Sequence, residues 1–352
     1  MLQKLSRFIN LAKPIVALKS TLPVLGCICV KDGLLQVTDL QHTLTMKTDD
    51  KRSYFFGFKN LQKVLKTKPQ SLSVELTSDK TMLNYDSRTL SFDSEDIDSF
   101  PALPNEKFEL LGSWDNDLVK VFHSQKAFVS TDMLKPALNH VHLEKNGMLN
   151  CVATDGHLLR KLSEIQNDGK DCTLDITPKL LGLLVALKRP VDLLQSENYL
   201  RFDCGEVSVY QRRSTDDYPD TDKVIPKDKK GVAIVNSTEI GRLVKDAAGF
   251  SHPKTKLGKL TFDKKVLQLI TEDPDKGTSW EGSVTLKKQK GKKLTIGFNL
   301  DYLKRLLAGV DSMEIMMGYS TPVSAVVVSP VERNGYGTLG LIMPIRLEDK
   351  HE

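Results

Sequence analysis

Thr154-Asp-Gly-His157 is the segment of this chain best equipped for chemistry. Asp155 and His157, two residues apart, are the residue types that act as a general acid–base pair or as metal ligands. The same four residues also describe a tight turn after a strand, in which Asp favours the turn, Gly156 permits positive φ and His157 packs or hydrogen-bonds. His140 and His142 alternate along a strand-like run and share one face, which is commoner for a surface pair than for a metal site. Cys27 and Cys29 do the same in an apolar strand and read as small core residues. The five cysteines, with Cys151, Cys172 and Cys204, form no CxxC. That suggests neither a zinc ribbon nor a disulfide framework and suits a reducing cytoplasm. No phosphate loop, Gly-x-Ser-x-Gly or HExxH occurs, so the expectation is a chain with no catalytic residue, metal or cofactor.

The elements that position these residues are patterned across 352 residues, 27% charged and 40% hydrophobic, with a net charge of +5. No apolar run is long enough to span a membrane: Leu180–Leu187 is stopped by Lys188. The chain repeats itself three times. Leu35-Gln-Val-Thr-Asp39, Asn150-Cys-Val-Ala-Thr-Asp155 and Leu267-Gln-Leu-Ile-Thr-Glu272 match. Their threonines Thr38, Thr154 and Thr271 are spaced 154 − 38 = 116 and 271 − 154 = 117. Before each marker stands a hairpin signal, Asp32-Gly33, Asn146-Gly147 or Asp263-Lys264. After each comes an amphipathic helix, in Asn60–Lys66, Pro178–Leu187 and Asn299–Leu307, and then alternating strands. Opening helices are expected over Leu5–Leu18 and Thr238–Phe250, with the second reduced to a turn at Thr131–Leu134. The fold class is therefore α+β, three similar helix/antiparallel-sheet domains with boundaries at 1–114, 115–228 and 229–352.

Thr21-Leu-Pro-Val-Leu-Gly26, Val152-Ala-Thr-Asp-Gly-His157, Tyr218-Pro-Asp220 with Val224-Ile-Pro226, Ile296-Gly-Phe-Asn299 with Tyr302-Leu303, and Leu341-Ile-Met-Pro-Ile-Arg-Leu347 occur in one order along the whole chain. In these motifs the sequence resembles the bacterial DNA polymerase III beta subunit family, the sliding clamps, as a divergent member. The resemblance implies a DNA clamp fold in which two chains join head to tail as a ring around double-stranded DNA. It also implies a non-catalytic cytoplasmic processivity factor of DNA replication that tethers a DNA polymerase and meets a clamp loader through linear peptide motifs. The alternative is a clamp-like regulator or decoy that binds such partners without encircling DNA.

A ring of this kind needs a positive inner wall that attracts phosphate without reading bases. The candidates are Lys4, Arg7, Lys13 and Lys19, then Lys126 and Lys135, then Arg242, Lys245, Lys254 and Lys256. The first 31 residues hold five positive charges and no acid. The resemblance also implies an apolar peptide cleft. Leu138, Thr154, Gly156, His157, Leu158 and Leu159 would line one side, and Pro219, Lys223 and Val224 would come from the linker. Asn299, Tyr302, Val323, Ala325 and Met343, Pro344, Ile345, Arg346, Leu347 would close the other. Phe100, Leu103 and Phe250 are the expected dimer contacts. Leu158 and Lys223 stand where arginine is frequent in the family, so the rim is expected to favour acidic peptide flanks less. The acidic tail Glu348–Glu352 is expected to lie beside it.

Overall fold

The structure, a computed structural model, describes residues 2–93, 96–333 and 335–347. The tail Glu348–Glu352 lies outside the described residues. The first repeat runs α1 (Leu2–Ala12), β1 (Cys27–Lys31), β2 (Leu34–Thr38), β3 (His42–Lys47), β4 (Tyr54–Gly57), α2 (Phe58–Lys66), β5 (Leu72–Leu76), β6 (Lys80–Tyr85) and β7 (Arg88–Asp93). The second runs β8 (Glu109–Trp114), α3 (Asn116–Ser124), β9 (Val141–Asn146), β10 (Met148–Thr154), β11 (Leu158–Ile165), β12 (Cys172–Ile176), α4 (Pro178–Leu187), β13 (Val191–Gln195), β14 (Tyr199–Cys204) and β15 (Val207–Arg212). The third runs β16 (Gly231–Asn236), α5 (Ser237–Phe250), β17 (Leu257–Asp263), β18 (Val266–Asp273), β19 (Thr278–Lys290), β20 (Leu294–Asn299), α6 (Leu300–Ala308), β21 (Glu314–Tyr319), β22 (Val326–Pro330) and β23 (Gly337–Ile342).

Each repeat carries the same four-strand order, β4-β1-β2-β3, β12-β9-β10-β11 and β20-β17-β18-β19. The third strand of the first set, β3, pairs antiparallel with β15, and that of the second, β11, with β23. The sheets thereby grow to eight and twelve strands, with β5-β6-β7 a separate sheet of three. The chain divides into two compact units. One takes the chain up to His123 and again Lys179–Thr215; the other takes Ser124–Pro178 and everything from Asp216. The strands of the second repeat are thus shared out, β8 and β13–β15 to the first unit and β9–β12 to the second.

Two sequence expectations need correction. The first helix ends at Ala12 rather than reaching Leu18, because Pro14 has no N–H to donate and its ring clashes with the preceding turn. The second repeat is not short of its opening helix: α3 fills that place, upstream of Thr131. Asp115 begins it by accepting from the Leu118 N–H at 2.7 Å. Val119 and Phe122 are fully buried, and Phe122 meets Trp114 edge-on at 5.0 Å. The repeated hairpin signal holds at Asp32-Gly33, where both residues have positive φ (53° and 73°) as a tight two-residue turn requires.

The repeated Thr-Asp is a turn device. Thr38 Oγ1 donates to the His42 carbonyl, and Asp39 Oδ1 accepts from the Gln41 and His42 amides. Thr154 Oγ1 donates to the Leu158 carbonyl, and Asp155 Oδ1 accepts from the His157 and Leu158 amides. Burial alone would raise the Asp39 carboxyl, but His42 beside it and Lys179, donating at 2.7 Å, outweigh burial and hold the group well below the ordinary carboxylate range. A depressed carboxyl gives stability that is present above its unfolded value and fades as pH falls toward its folded one. Asp39→Asn is therefore expected to cost about 1–3 kcal/mol at pH 7. The cost should shrink as pH drops below about 4. Urea unfolding between pH 7 and pH 3 checks this, and a cost independent of pH would contradict it.

Candidate functional site

On one face of the twelve-stranded sheet, cross-strand partners share a side, so the register lays out the surface. Leu159 pairs with Thr154 on β10 and with Leu341 on β23. Val152, Leu159, Ala325 and Leu341 form an apolar cluster, and Tyr218 and Ile225 of the segment before β16 pack on it. Two residues along each strand, the same face continues as His157 and Met343, tied by the Met343 N–H donating to the His157 carbonyl at 2.9 Å. The His157 ring stacks on Tyr302 with centroids 5.4 Å apart, and the Arg305 guanidinium lies 5.1 Å over the Tyr302 ring. Arg305 also pairs with Asp155, so the carboxylate suggestive of catalysis is engaged by two amides and a guanidinium. Ile345 donates its N–H to the Gly297 carbonyl at 2.7 Å, and Leu347 lies against Gly297. A Cβ at Gly297 would meet the Ile345 carbonyl at 2.7 Å, so only glycine lets the C-terminal segment lie down there.

The expected cleft residues fall into three sorts. Met343 (42% exposed), Val224 (55%) and Val323 (58%) are large apolar side chains left open to solvent. His157, Pro219, Lys223 and Arg346 are exposed too, while Tyr302, Pro344, Ile345, Leu347 and Leu138 are half-buried. Thr154 and Asn299 act locally: Thr154 closes the turn at Gly156, and Asn299 caps α6 by accepting from the Asp301 and Tyr302 amides. Leu158 is fully buried and, by alternation, points away from Leu159. It belongs to the core under the sheet, so the expectation that it makes a rim less positive does not hold. Lys223 is on the surface, 3.1 Å from Asp220.

Beside the apolar cluster, a recess of about 300 Å³ opens between Val152, His142, Glu144 and Lys161 on the strands and Tyr218 and Asp222 on the covering segment. Tyr218 stacks on His142 at 4.5 Å, and His142 Nδ1 lies 2.8 Å from Asp175. Burial pushes the Tyr218 phenol up. His140 is buried beside the Pro136 carbonyl. Sequence reasoning missed this recess because Tyr218 and Asp222 reach it from a loop, with no periodicity to announce them.

The basic residues divide as well. Arg7 and Lys13 are exposed on α1 or just after it, opposite the buried Leu5, Phe8 and Ile9, and Lys19 is exposed. Lys4 is engaged by Glu206 at 3.3 Å. In the second unit Lys126 and Lys135 are exposed, with the Lys135 ammonium beside Gly156. Arg242 and Lys245 lie on the solvent side of α5, whose Ile240, Leu243, Val244 and Ala247 are buried, followed by exposed Lys254 and half-buried Lys256. Of the expected dimer contacts, Phe250 is exposed (54%) and stacks on Trp280, and Leu103 is half-buried. Phe100 is buried against Phe55 at 6.0 Å. It fills the core of its own unit, where an expected dimer contact would be open to solvent.

Sequence reading expected no metal ligands. His252, Asp273 and Asp275 nevertheless bring their ligand atoms within 4.8 Å of one another. Their charges are met by protein groups, Lys276 at 3.2 Å from Asp273 and His252 at 3.1 Å from Asp275. Among the described residues no helix is long and apolar enough to cross a membrane.

Comparison with known proteins points one way. The family described as DNA polymerase III beta subunit, C-terminal domain, matches residues 222–346. The beta sliding clamp of Halalkalibacterium halodurans is 27% identical over 278 residues, 76% of this chain and 72% of that protein. The beta sliding clamp of Staphylococcus epidermidis is 25% identical over 260 residues, 71% and 68% of the two chains. The solved structure of the DNA polymerase III beta chain from Streptococcus pneumoniae superposes with a TM-score of 0.89 at 20% identity, covering 98% of each chain, a likeness of fold.

Proposed function

We infer that this chain, a member of the DNA polymerase III beta subunit family, is a DNA sliding clamp: a non-catalytic processivity factor that encircles duplex DNA and holds a polymerase to it. One observation carries the reading. β3 pairs with β15 and β11 with β23, yet their counterparts β19 and β7 are left over. In the described residues, Thr278–Thr285 of β19 pairs with β18 alone, and β7 with β6 alone. A lone edge is a template for another strand. Placing β7 of a second copy along β19 repeats the joint already used twice, and two such joints close two chains head to tail.

The ring so formed has six repeats. We draw the repeats as three domains, with the first boundary near Phe108 rather than Trp114, because β8 precedes α3 as β16 precedes α5. The exposed cations on and after α1 and α5 are the DNA-facing set. The apolar face around Leu159, His157, Tyr302 and Met343 is the partner cleft, suited to a linear peptide from a polymerase or clamp loader. A role beside DNA in the cytoplasm follows from that function.

Phosphate contact without base reading makes binding indifferent to sequence and steeply salt-dependent. Lys19→Glu with Lys245→Glu is expected to weaken binding to a short duplex about tenfold at low salt and to flatten the salt dependence. Fluorescence anisotropy across a salt series checks this. An unchanged salt slope with the dimer intact would contradict the assignment of these lysines.

A further inference from the structure

The face that carries the apolar cluster does not end at it. Leu341 pairs with Val327, Val327 with Gly318, Gly318 with Val232, and Val232 with Lys290. One row therefore crosses β23, β22, β21, β16 and β19 on a single side of the sheet. In the next row Lys288 pairs with Ile234, placing Lys288 and Lys290 on that same side. On the opposite side Ala233, Val235, Leu286 and Met317 are buried; on this side Val327 and Leu341 are buried too, Leu341 in the cluster on which Tyr218 and Ile225 pack, and the row is open at its lysine end. Gly318 is bare for a reason. A Cβ there would lie 2.4 Å from Lys229 Cδ, so the stem of Lys229 runs across the sheet where a side chain would stand. Strands lie about 4.8 Å apart. Lys229 is thus about two strands, roughly 10 Å, from Leu341, and Lys290 about twice as far.

The charges on this side are unequal. Lys287 is occupied by Glu314. Lys229, Lys288 and Lys290 have no carboxylate within ion-pair distance among the described residues. Across the apolar cluster, at the far end, stand Glu144, Asp220 and Asp222, with Lys161 held by Asp222 at 2.5 Å and Lys223 by Asp220 at 3.1 Å, which leaves Glu144 as the carboxylate without an ion-pair partner among the described residues. The face runs from acidic through apolar to basic.

We propose that the apolar cleft and the lysines Lys229, Lys288 and Lys290 form one docking surface, which takes an extended peptide whose apolar anchors are followed at one end by acidic residues. The charge gradient gives the peptide its direction. An acidic segment laid the other way would meet Glu144 and no free lysine, and like charge there would repel it. This reverses the sequence expectation of a weak preference for acidic flanks, and it rests on the reading of the cleft given above.

The test uses the full chain and three fluorescein-labelled peptides. One has leucine and phenylalanine anchors in a Gly-Ser context; the others add four glutamates at the N- or the C-terminus. The neutral peptide is expected to bind wild type and the triple variant Lys229→Gln, Lys288→Gln, Lys290→Gln equally. One glutamate tail, and not the other, should tighten binding to wild type about tenfold at low salt, with the gain lost in the variant and at high salt. No binding of the neutral peptide overturns the cleft and this inference together. Binding of the neutral peptide with no gain from either tail, equal gains from both, or a gain that survives in the variant, overturns the inference alone. A single-stranded oligonucleotide that needs the three lysines while the tails add nothing reassigns them to nucleic acid and likewise overturns it.

Discussion

A chain carrying Leu90→Asp and Phe250→Asp is expected to run as a folded monomer, and the wild type as a dimer. Leu90 lies on β7, whose outer edge has no partner among the described residues. Phe250 ends α5 with half its surface exposed and stacks on Trp280, which lies on the half of β19 that pairs with β18 alone. Head-to-tail closure as proposed would bury both, and a buried apolar anchor at an interface is worth about 2 kcal/mol or more. A buried, unpaired carboxylate in its place costs more again. Light scattering at micromolar concentration should give half the wild-type mass, with unchanged circular dichroism showing that the fold survives. A variant that stays dimeric would place the joint elsewhere.

Peptide affinity should fall by about 1–3 kcal/mol, up to roughly a hundredfold, in Tyr302→Ala and in Met343→Ala. Tyr302 is held rigid by His157 on one side and Arg305 near its face, so it offers an anchor contact at little entropic cost. Met343 is exposed, flexible and adaptable, next to the hydrogen bond that fixes its backbone to His157. Neither side chain is core, so stability should change little. Anisotropy with the neutral peptide above reads the effect, and wild-type affinity in both variants would remove the cleft from this face.

Much of this architecture was legible because repetition multiplies weak signals. Thr38 and Thr154 each end a strand of the same four-strand order, Thr271 lies two residues before the end of its counterpart, and the three helices after them occupy equivalent places. Two of the opening helices were legible from apolar spacing, whereas α3 was not. Its buried side chains, Val119 and Phe122, make too short a pattern between polar residues, and its strongest signal is the cap Asp115. The Thr-Asp pair looked catalytic because residue types alone do not reveal hydrogen bonds. Asp39 showed the alternative, since it makes the same turn with Leu40 and Gln41 in the places of Gly156 and His157. Leu158 and Leu159 are adjacent, equally apolar and both buried, and only strand alternation puts one under the sheet and the other in the cluster on which Tyr218 and Ile225 pack. The joint through β7 was out of reach of motif reading, because a strand's free edge is a property of the sheet. Leu90 and Phe92 are ordinary alternating residues until β15 and β23 are seen paired and β7 is seen without a partner.

Negative-stain electron microscopy of the purified protein, with its mass measured on the same sample, tests ring closure most directly. The account predicts two chains per particle and class averages of a closed ring of six repeats, with a central hole wide enough to pass a DNA duplex. A stable monomer, or a dimer without a central channel, would contradict it and leave a chain that binds clamp partners without encircling DNA.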